Sequence, residues 1–410
     1  MNEQSSQQPQ VLIAGGGIAG LEALMAVRDL AGDRVGITLA SPEPDFVYKP
    51  LIVEEPFSYQ PAEQRALGPI AEEFGAEFVQ AGISAVDPDQ HSVQLGDGTS
   101  RSYDRLVICV GARPRPPFED AITLDVTGPP MAIEALLRDA AGSESKRIVF
   151  LIPPGRTWPL PIYELALMAQ RRAREESLEV ECCIVTPEES PLIVFGRAAS
   201  DAVRGLLEGR RIATELGARA KLIEDGELVL SPGDRRLRAA RVIALPVLEG
   251  PALPGLPADE EGFIPIDEHA RVRGVEDVYA AGDGANFPIK HGGMGTQEAD
   301  AAAEHIAASL GATIDAEPFR PVIRGKLLTG DDSLHMQHDA GGGGGEGSAG
   351  ADYLWWPPQK VSGRYLAPWL RQATPHADSE PPPQSIDVEV ALPKEWHEHP
   401  MALDPYGPLQ

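Results

Sequence analysis

The stretch Val11–Glu22, VLIAGGGIAGLE, constrains the fold more than any other part of the chain. The apolar run Val11–Ala14 suits a strand buried on both faces. Leu21, Leu24 and Met25 fall at helical spacing on one inward face. Between strand and helix lie Gly15, Gly17 and Gly20, with Ile18 and Ala19, in a G-x-G-x-x-G turn. The first glycine permits the tight turn, the second lets backbone approach a pyrophosphate, and the third lets helix and strand pack closely. The helix N-terminus then offers free N–H groups and a positive dipole end to phosphates. A second strand, RVGITLA at 34–40, follows. The pattern predicts a dinucleotide-binding β-α-β unit.

At 410 residues the chain is long for one domain, and its 42% hydrophobic content can fill a large core. Its net charge of −27 argues against nucleic acid and anionic membrane as partners. There is no apolar run of 18 residues, so no transmembrane segment is expected. The first ten residues lack the basic and apolar parts of a signal peptide. Cys109, Cys182 and Cys183 lie in apolar, strand-like runs and read as small buried hydrophobes. A cytoplasmic, disulfide-free protein is the expectation. In the strand VECCIV, Cys182 and Cys183 should point to opposite faces.

Past the second strand, the carboxylate that usually holds an adenosine ribose is not in register. Ser41 stands at that place, Glu43 is the nearest carboxylate and Asp45 the next; Ser41, Glu43 or neither could serve. The loop FVYKP brings Lys49 and Pro50 toward the cradle. Ala76–Asp87, which contains Ile83, and His91–Leu95 read as short strands. Tyr103–Gly111 reads as a further buried strand, with Val110, Gly111 and Ala112 at its end.

Three motifs together resemble the pyridine nucleotide–disulfide oxidoreductase superfamily: GGGIAG at 15–20, YDRLVICVGARP at 103–114 and VRGVEDVYAAGDGAN at 272–286. In the second motif Cys109 and Val110 replace the usual Ala-Thr. The resemblance implies FAD, held in part by Gly282 and by Asp283 on the ribityl chain. The fold class it implies is α/β, with two Rossmann-like (three-layer ββα) dinucleotide-binding domains plus a small C-terminal region. The expected division is a discontinuous FAD domain (1–115 and 250–330) and a second nucleotide-binding-like domain (116–249). An aromatic-rich C-terminal region (331–372) and an acidic, Pro-rich tail (373–410) follow.

The second domain departs from the family pattern. Arg147–Ile152 and Leu178–Val185 read as strands around a helix at Pro161–Glu175, the usual NAD(P)H placement. Its turn is PPGRTWPLPIYE at 153–164, where Gly155 alone survives of three glycines. Pro153 has no N–H for a phosphate, and Trp158 forbids close helix–strand approach. NAD(P)H binding in the usual mode is not expected. The turn is similar to that of the sulfide:quinone oxidoreductase and flavocytochrome c sulfide dehydrogenase branch, matching Pro153, Pro154, Tyr163 and Glu164. That branch carries redox cysteines; here Trp158 stands close to one of their places, and no cysteine follows Cys183. Thiol–disulfide chemistry at a flavin is not expected, because it needs a thiolate.

Arg197–Leu216 reads as a helix, and 248–263 as a Pro/Gly-rich return link. Phe287–Met294 reads as a loop before a helix from Thr296 to Leu310. The resemblance points that helix at the flavin pyrimidine, where its N–H groups would stabilise reduced-flavin charge. Gly292 and Gly293 would permit the approach. Lys290 resembles the loop lysine of the sulfide:quinone branch, and His291 is a candidate donor or proton carrier. Glu164, at a helix start, is a candidate proton carrier. No metal site is expected: His335, His338 and the HEH at 397–399 lack a ligand cluster. The expected function is FAD-dependent electron transfer from a small-molecule donor to a quinone or protein acceptor. An electron-transfer subunit of a larger complex and a dehydrogenase with a non-standard NAD(P)H turn stay open. Tyr353, Trp355, Trp356, Tyr365 and Trp369 suit packing on the flavin domain or a homodimer partner better than peripheral membrane contact.

Overall fold

The computed structural model describes residues 8–57, 62–124, 130–331, 333–339, 347–351 and 354–373. Tyr353, residues 341–346 of the glycine run and the tail beyond 373, with its HEH, lie outside the described residues.

The first sheet is parallel, in the order Val278–Ala280, Arg105–Ile108, Gln10–Ala14, Gly36–Ala40, Glu77–Val79. These runs are apolar because both sheet faces are covered. Helix α1 (Ile18–Ala31) leaves the strand Gln10–Ala14 through the glycine turn. The strand order reverses at Gln10–Ala14, so the crevice of a doubly wound sheet opens beyond Ala14 and Ile108. A small antiparallel sheet (Ile83–Asp87, Ser92–Leu95, Ser100–Ser102) supplies the third layer.

The second sheet repeats the plan in the order Ile122–Thr123, Arg241–Ala244, Arg147–Leu151, Glu181–Val185, Ala213–Glu215. Helix α2 (Leu160–Glu175) follows the altered turn, and Arg219–Glu224, Glu227–Ser231 and Arg235–Arg238 form its antiparallel layer. Cys182 and Cys183 belong to different cores on the two faces of this sheet, as strand alternation requires. Helix α3 (Arg197–Gly209) is shorter than its sequence pattern predicts. The chain reverses after Gly209 through Arg211 at φ +59°, and Ala213–Glu215 becomes the sheet's edge strand.

Helix α4 (Gly292–Ser309) starts one turn before the expected Thr296, with His291 as its N-cap. The stretch 292–295 is therefore helix rather than loop. The strands Val322–Leu327, Leu334–Asp339 and Ser348–Gly350 then form a C-terminal sheet. Helix α5 (Leu366–Ala373) packs on α1. Three described aromatics of this region pack on the body of the protein. Trp355 lies edge-on to His335, Trp369 edge-on to Phe74, and the Tyr365 hydroxyl donates to Asp29.

Candidate functional site

The three glycines of the first turn differ in what surrounds them. A Cβ on Gly15 would fall 2.1 Å from the Cys109 carbonyl oxygen, and the residue sits at φ +120°. A Cβ on Gly20 would fall 1.8 Å from the Gly15 oxygen, so α1 is pressed against its own strand. A Cβ on Gly17 would meet no atom within 4 Å. Gly17 is also the N-cap of α1, with no side chain bonded to the helix end. Backbone N–H groups thus face open space, the arrangement a pyrophosphate needs. The cradle fits an adenine dinucleotide.

Ser41 is buried directly behind this turn, its oxygen 3.0 Å from where a Gly16 Cβ would lie. Glu43 and Lys49 are exposed, Pro50 and Ile83 half-buried. Val110 is exposed, in contrast to the other large hydrophobic side chains described. Gly111, at φ +74°, follows it; its oxygen would lie 2.9 Å from a Cβ on Gly284. Ala112, half-buried, completes that strand end. Ile18 and Ala19 open α1, and Ala19 Cβ would lie 3.1 Å from a Cβ on Gly282. Ile18 and Val361 would both lie within about 3.1 Å of a Cβ on Gly292. The N-termini of α1 and α4 therefore converge, with the C-terminal segment between them. Gly293 packs against the His291 ring.

Asp283 stands at this junction, half-buried. Burial holds its carboxyl above the ordinary range, against the pull of Lys290 and Lys49. Lys290 is buried, donates to the Ala285 carbonyl and lies 4.0 Å over the Phe263 ring. Burial and the Arg156 charge push its ammonium down, against Asp283, Glu298 and Asp259. Glu298, on α4, is buried and accepts the Gly282 N–H at 2.6 Å. Neither Lys290 nor His291 is a solvated loop residue.

His291 is buried, its ring 4.6 Å from that of Trp158, and its Nδ1 has no partner among the described residues. Burial, then the Lys360 charge, push it down to about 3. Glu164 is fully buried and not solvated at its helix start. Its Oε2 pairs with Lys360 Nζ at 2.6 Å and its Oε1 accepts the Leu328 N–H at 3.0 Å. Lys360 also donates to the Pro50 carbonyl at 2.7 Å. The sequence reading passed over Lys360, Glu298 and Arg156. A lone lysine in the aromatic stretch 353–370 was the available signal for the first. For Glu298 it was a carboxylate among the small residues of α4.

The second turn is closed. Pro153 and Arg156 are buried, and Trp158 lies edge-on to Phe195. Arg156 pairs with Glu261 at 2.5 Å and Asp259 at 3.2 Å, donates to the Asn286 carbonyl, and lies 4.6 Å over Phe263. The turn is fastened to the return link and the Asp283 motif. Glu188, just past the strand Glu181–Val185, is buried and accepts from the Tyr163 hydroxyl at 2.6 Å. Burial pushes its carboxyl up to about 7.

Two dinucleotide-type parallel sheets, an open glycine cradle and a buried Lys-Glu cluster behind an aspartate turn define a flavin-type dinucleotide-binding protein. The chain belongs to the pyridine nucleotide-disulphide oxidoreductase family, whose model matches residues 9–135 and 163–305. By class it is an FAD-dependent oxidoreductase. The stretch between the matched segments contains residues 153–162 of the altered turn. The chain is similar to a sulfide-quinone reductase of Aquifex aeolicus, 24% identical over 257 residues, 59% of each chain. It is similar also to an NADH dehydrogenase-like protein of Mycobacterium tuberculosis, 26% identical over 294 residues, 67% of this chain and 72% of that one. In fold it resembles the sulfide:quinone oxidoreductase of Aquifex aeolicus, with a TM-score of 0.72 and 21% identity, covering 81% of this chain and 84% of that one.

Proposed function

We propose that this protein passes electrons from a small-molecule donor, through non-covalent FAD, to a quinone or protein acceptor, with no redox-active disulfide and no nicotinamide bound in the usual mode. The observation that carries this reading is the buried second turn, fastened by Arg156 to Asp259 and Glu261. A nucleotide cradle needs free backbone N–H groups facing open space, as at Gly17. Burial of the 153–159 turn, the missing N–H of Pro153 and the Arg156 ion pairs across it speak against a second dinucleotide held in that mode. The three thiols are buried and unpaired. Burial pushes Cys182 and Cys183 up to about 12 and about 11, away from thiolate chemistry.

FAD, when bound, supplies the two-electron chemistry. Gly15, Gly17 and the N-terminus of α1 hold its pyrophosphate in this reading, and Asp283 the ribityl chain. The N-terminus of α4 would stabilise negative charge on the reduced flavin. His291 presents a neutral donor there, while Lys360 and Glu164 stand behind as a buried charged pair.

Anaerobic stopped-flow mixing with NADH, NADPH and sulfide tests the reading. Bleaching of the bound flavin by sulfide, with the nicotinamides slower by orders of magnitude, supports it. Rapid bleaching by NADH or NADPH would sink it. No reduction by any small donor would favour an electron-transfer subunit served by a partner protein. Failure to reconstitute with FAD would remove its foundation.

A further inference from the structure

We propose that Phe263 is a positioning residue for Lys290: its ring takes the Lys290 ammonium and the Arg156 guanidinium together, and so fixes a positive charge beside the Asp283 turn for the reduced cofactor. The inference rests on the flavin reading of the site. Phe263 itself belongs to the return link, outside the expected cofactor contacts.

The return link fixes the place of the ring. The Phe263 N–H donates to Asp259 Oδ1 at 2.8 Å, and the Asp259 N–H donates to the Phe263 carbonyl at 2.8 Å. A Cβ on Gly250 would fall 1.9 Å from the Gly262 carbonyl carbon, so the link is pressed against itself just before Phe263. The Phe263 side chain is fully buried. With its backbone tied and its side chain enclosed, the ring is a rigid platform.

Two cations share that platform. Lys290 Nζ lies 4.0 Å from the ring centroid and Arg156 Cζ 4.6 Å from it. Arg156 is neutralised in place, by Glu261 at 2.5 Å and Asp259 at 3.2 Å. Lys290 forms no such ion pair among the described residues; the Ala285 carbonyl and the ring hold its ammonium. An aromatic face attracts a cation most where water is excluded. A carbonyl and a ring grip the ammonium without cancelling its charge, as a carboxylate at contact distance would. Arg156 also donates to the Asn286 carbonyl at 2.9 Å. The ring and its two cations therefore clamp Ala285 and Asn286, which follow the Gly282–Asp283 turn. Negative charge arriving on a flavin in that cradle meets a cation already in position and needs no rearrangement to be stabilised.

Ring fluorination tests the role, because each fluorine weakens the negative face of the ring and leaves its shape nearly unchanged. Phe263 is replaced by phenylalanines carrying one, two and three ring fluorines, and the flavin midpoint potential of the holoprotein is measured. The potential should fall at each step, by about 30 mV at three fluorines, a tenfold loss of preference for reduced flavin. In a Lys290→Met background the same series should be flat. Phe263→Leu, which keeps an apolar side chain and removes the ring, should give at least the three-fluorine fall. A flat series in the protein that retains Lys290 overturns the positioning role. An equal fall with and without Lys290 overturns it too, since the ring would then act through Arg156 alone. Denaturant unfolding of the protein as purified reads the clamp without reference to flavin: stability should drop with each fluorine, and unchanged stability overturns the hold of the ring on its cations. Wild-type protein that never retains FAD would refute the flavin reading itself, while a stepwise loss of stability across the series would still support the clamp.

Discussion

Lys360 Nζ stands 2.6 Å from Glu164 Oε2, and both side chains are sealed from solvent. Lys360 arrives on the C-terminal segment, Glu164 on α2 of the second sheet, and Pro50, whose carbonyl shares the ammonium, on a loop of the first. One ion pair therefore fastens three distant stretches around the convergence of the α1 and α4 N-termini. Its Coulomb attraction is set against the desolvation of two charges, so its presence does not by itself measure stability.

Breaking that pair from one side is a different matter. Lys360→Met leaves Glu164 buried without a counter-charge and should cost about 3–5 kcal/mol in denaturant unfolding. Glu164→Leu combined with Lys360→Met should recover most of the loss. A single variant that loses less than about 1 kcal/mol would show that Glu164 reaches water on its own.

The glycine turn gives a contrast between neighbours. Gly17→Val should fold with near wild-type stability, because its side chain enters open space, and should lose FAD. Gly20→Val should instead lower stability by about 1–3 kcal/mol or more, since its Cβ meets the Gly15 oxygen. Absorbance ratios of purified protein and thermal melts separate the two. Full flavin occupancy in Gly17→Val would refute the cradle.

Much of the fold was legible because apolar runs and glycine spacing act locally. Val11–Ala14, Gly15 to Gly20 and Arg147–Leu151 announce strand, turn and strand without reference to the rest of the chain. The altered second turn was legible for the same reason: Pro153 and Trp158 cannot do what glycine does. What stayed hidden depends on partners far off in sequence. Nothing local marks Glu22, whose partners are the N–H groups of Tyr365 and Leu366. Glu298 needs Gly282, and Lys360 needs Glu164. The start of α4 at Gly292 was missed because glycines argue against helix, whereas here they let the helix end pack against Ile18 and Val361.

Glu22 also carries a pH prediction. It is buried on α1, accepts the N–H groups of Tyr365 and Leu366 at 2.8 Å, and is bonded to Asp300. Burial raises it from 4.5 to about 7 and holds Asp300 well above its ordinary range. The folded state then binds more protons than the unfolded one, so stability falls as pH rises. The contribution is full below about 4.5 and is lost through about 7, on the order of 3 kcal/mol at 1.36 kcal/mol per tenfold step. Melting temperature should fall between pH 5 and 8, and Glu22→Gln should flatten that fall. A wild-type curve that rises over this range would contradict the sign.

His291 gives the opposite sign. Its imidazole is pushed down to about 3 by burial and by Lys360, so it is neutral throughout the working range. A neutral ring at the N-cap of α4 can donate one N–H to a developing oxyanion without itself titrating. Flavin reduction and reoxidation rates should therefore show no step between pH 5 and 8 that disappears in His291→Gln. The same variant should slow turnover by on the order of 10²-fold, the scale of a lost oxyanion donor. Trp158→Ala removes the tilted ring that lies against the imidazole and should reproduce part of that loss while leaving the shape of the pH profile unchanged. A step near pH 6.5 in wild type that vanishes in His291→Gln would show that the imidazole reaches solvent and carries a proton, contrary to its buried position beside Trp158.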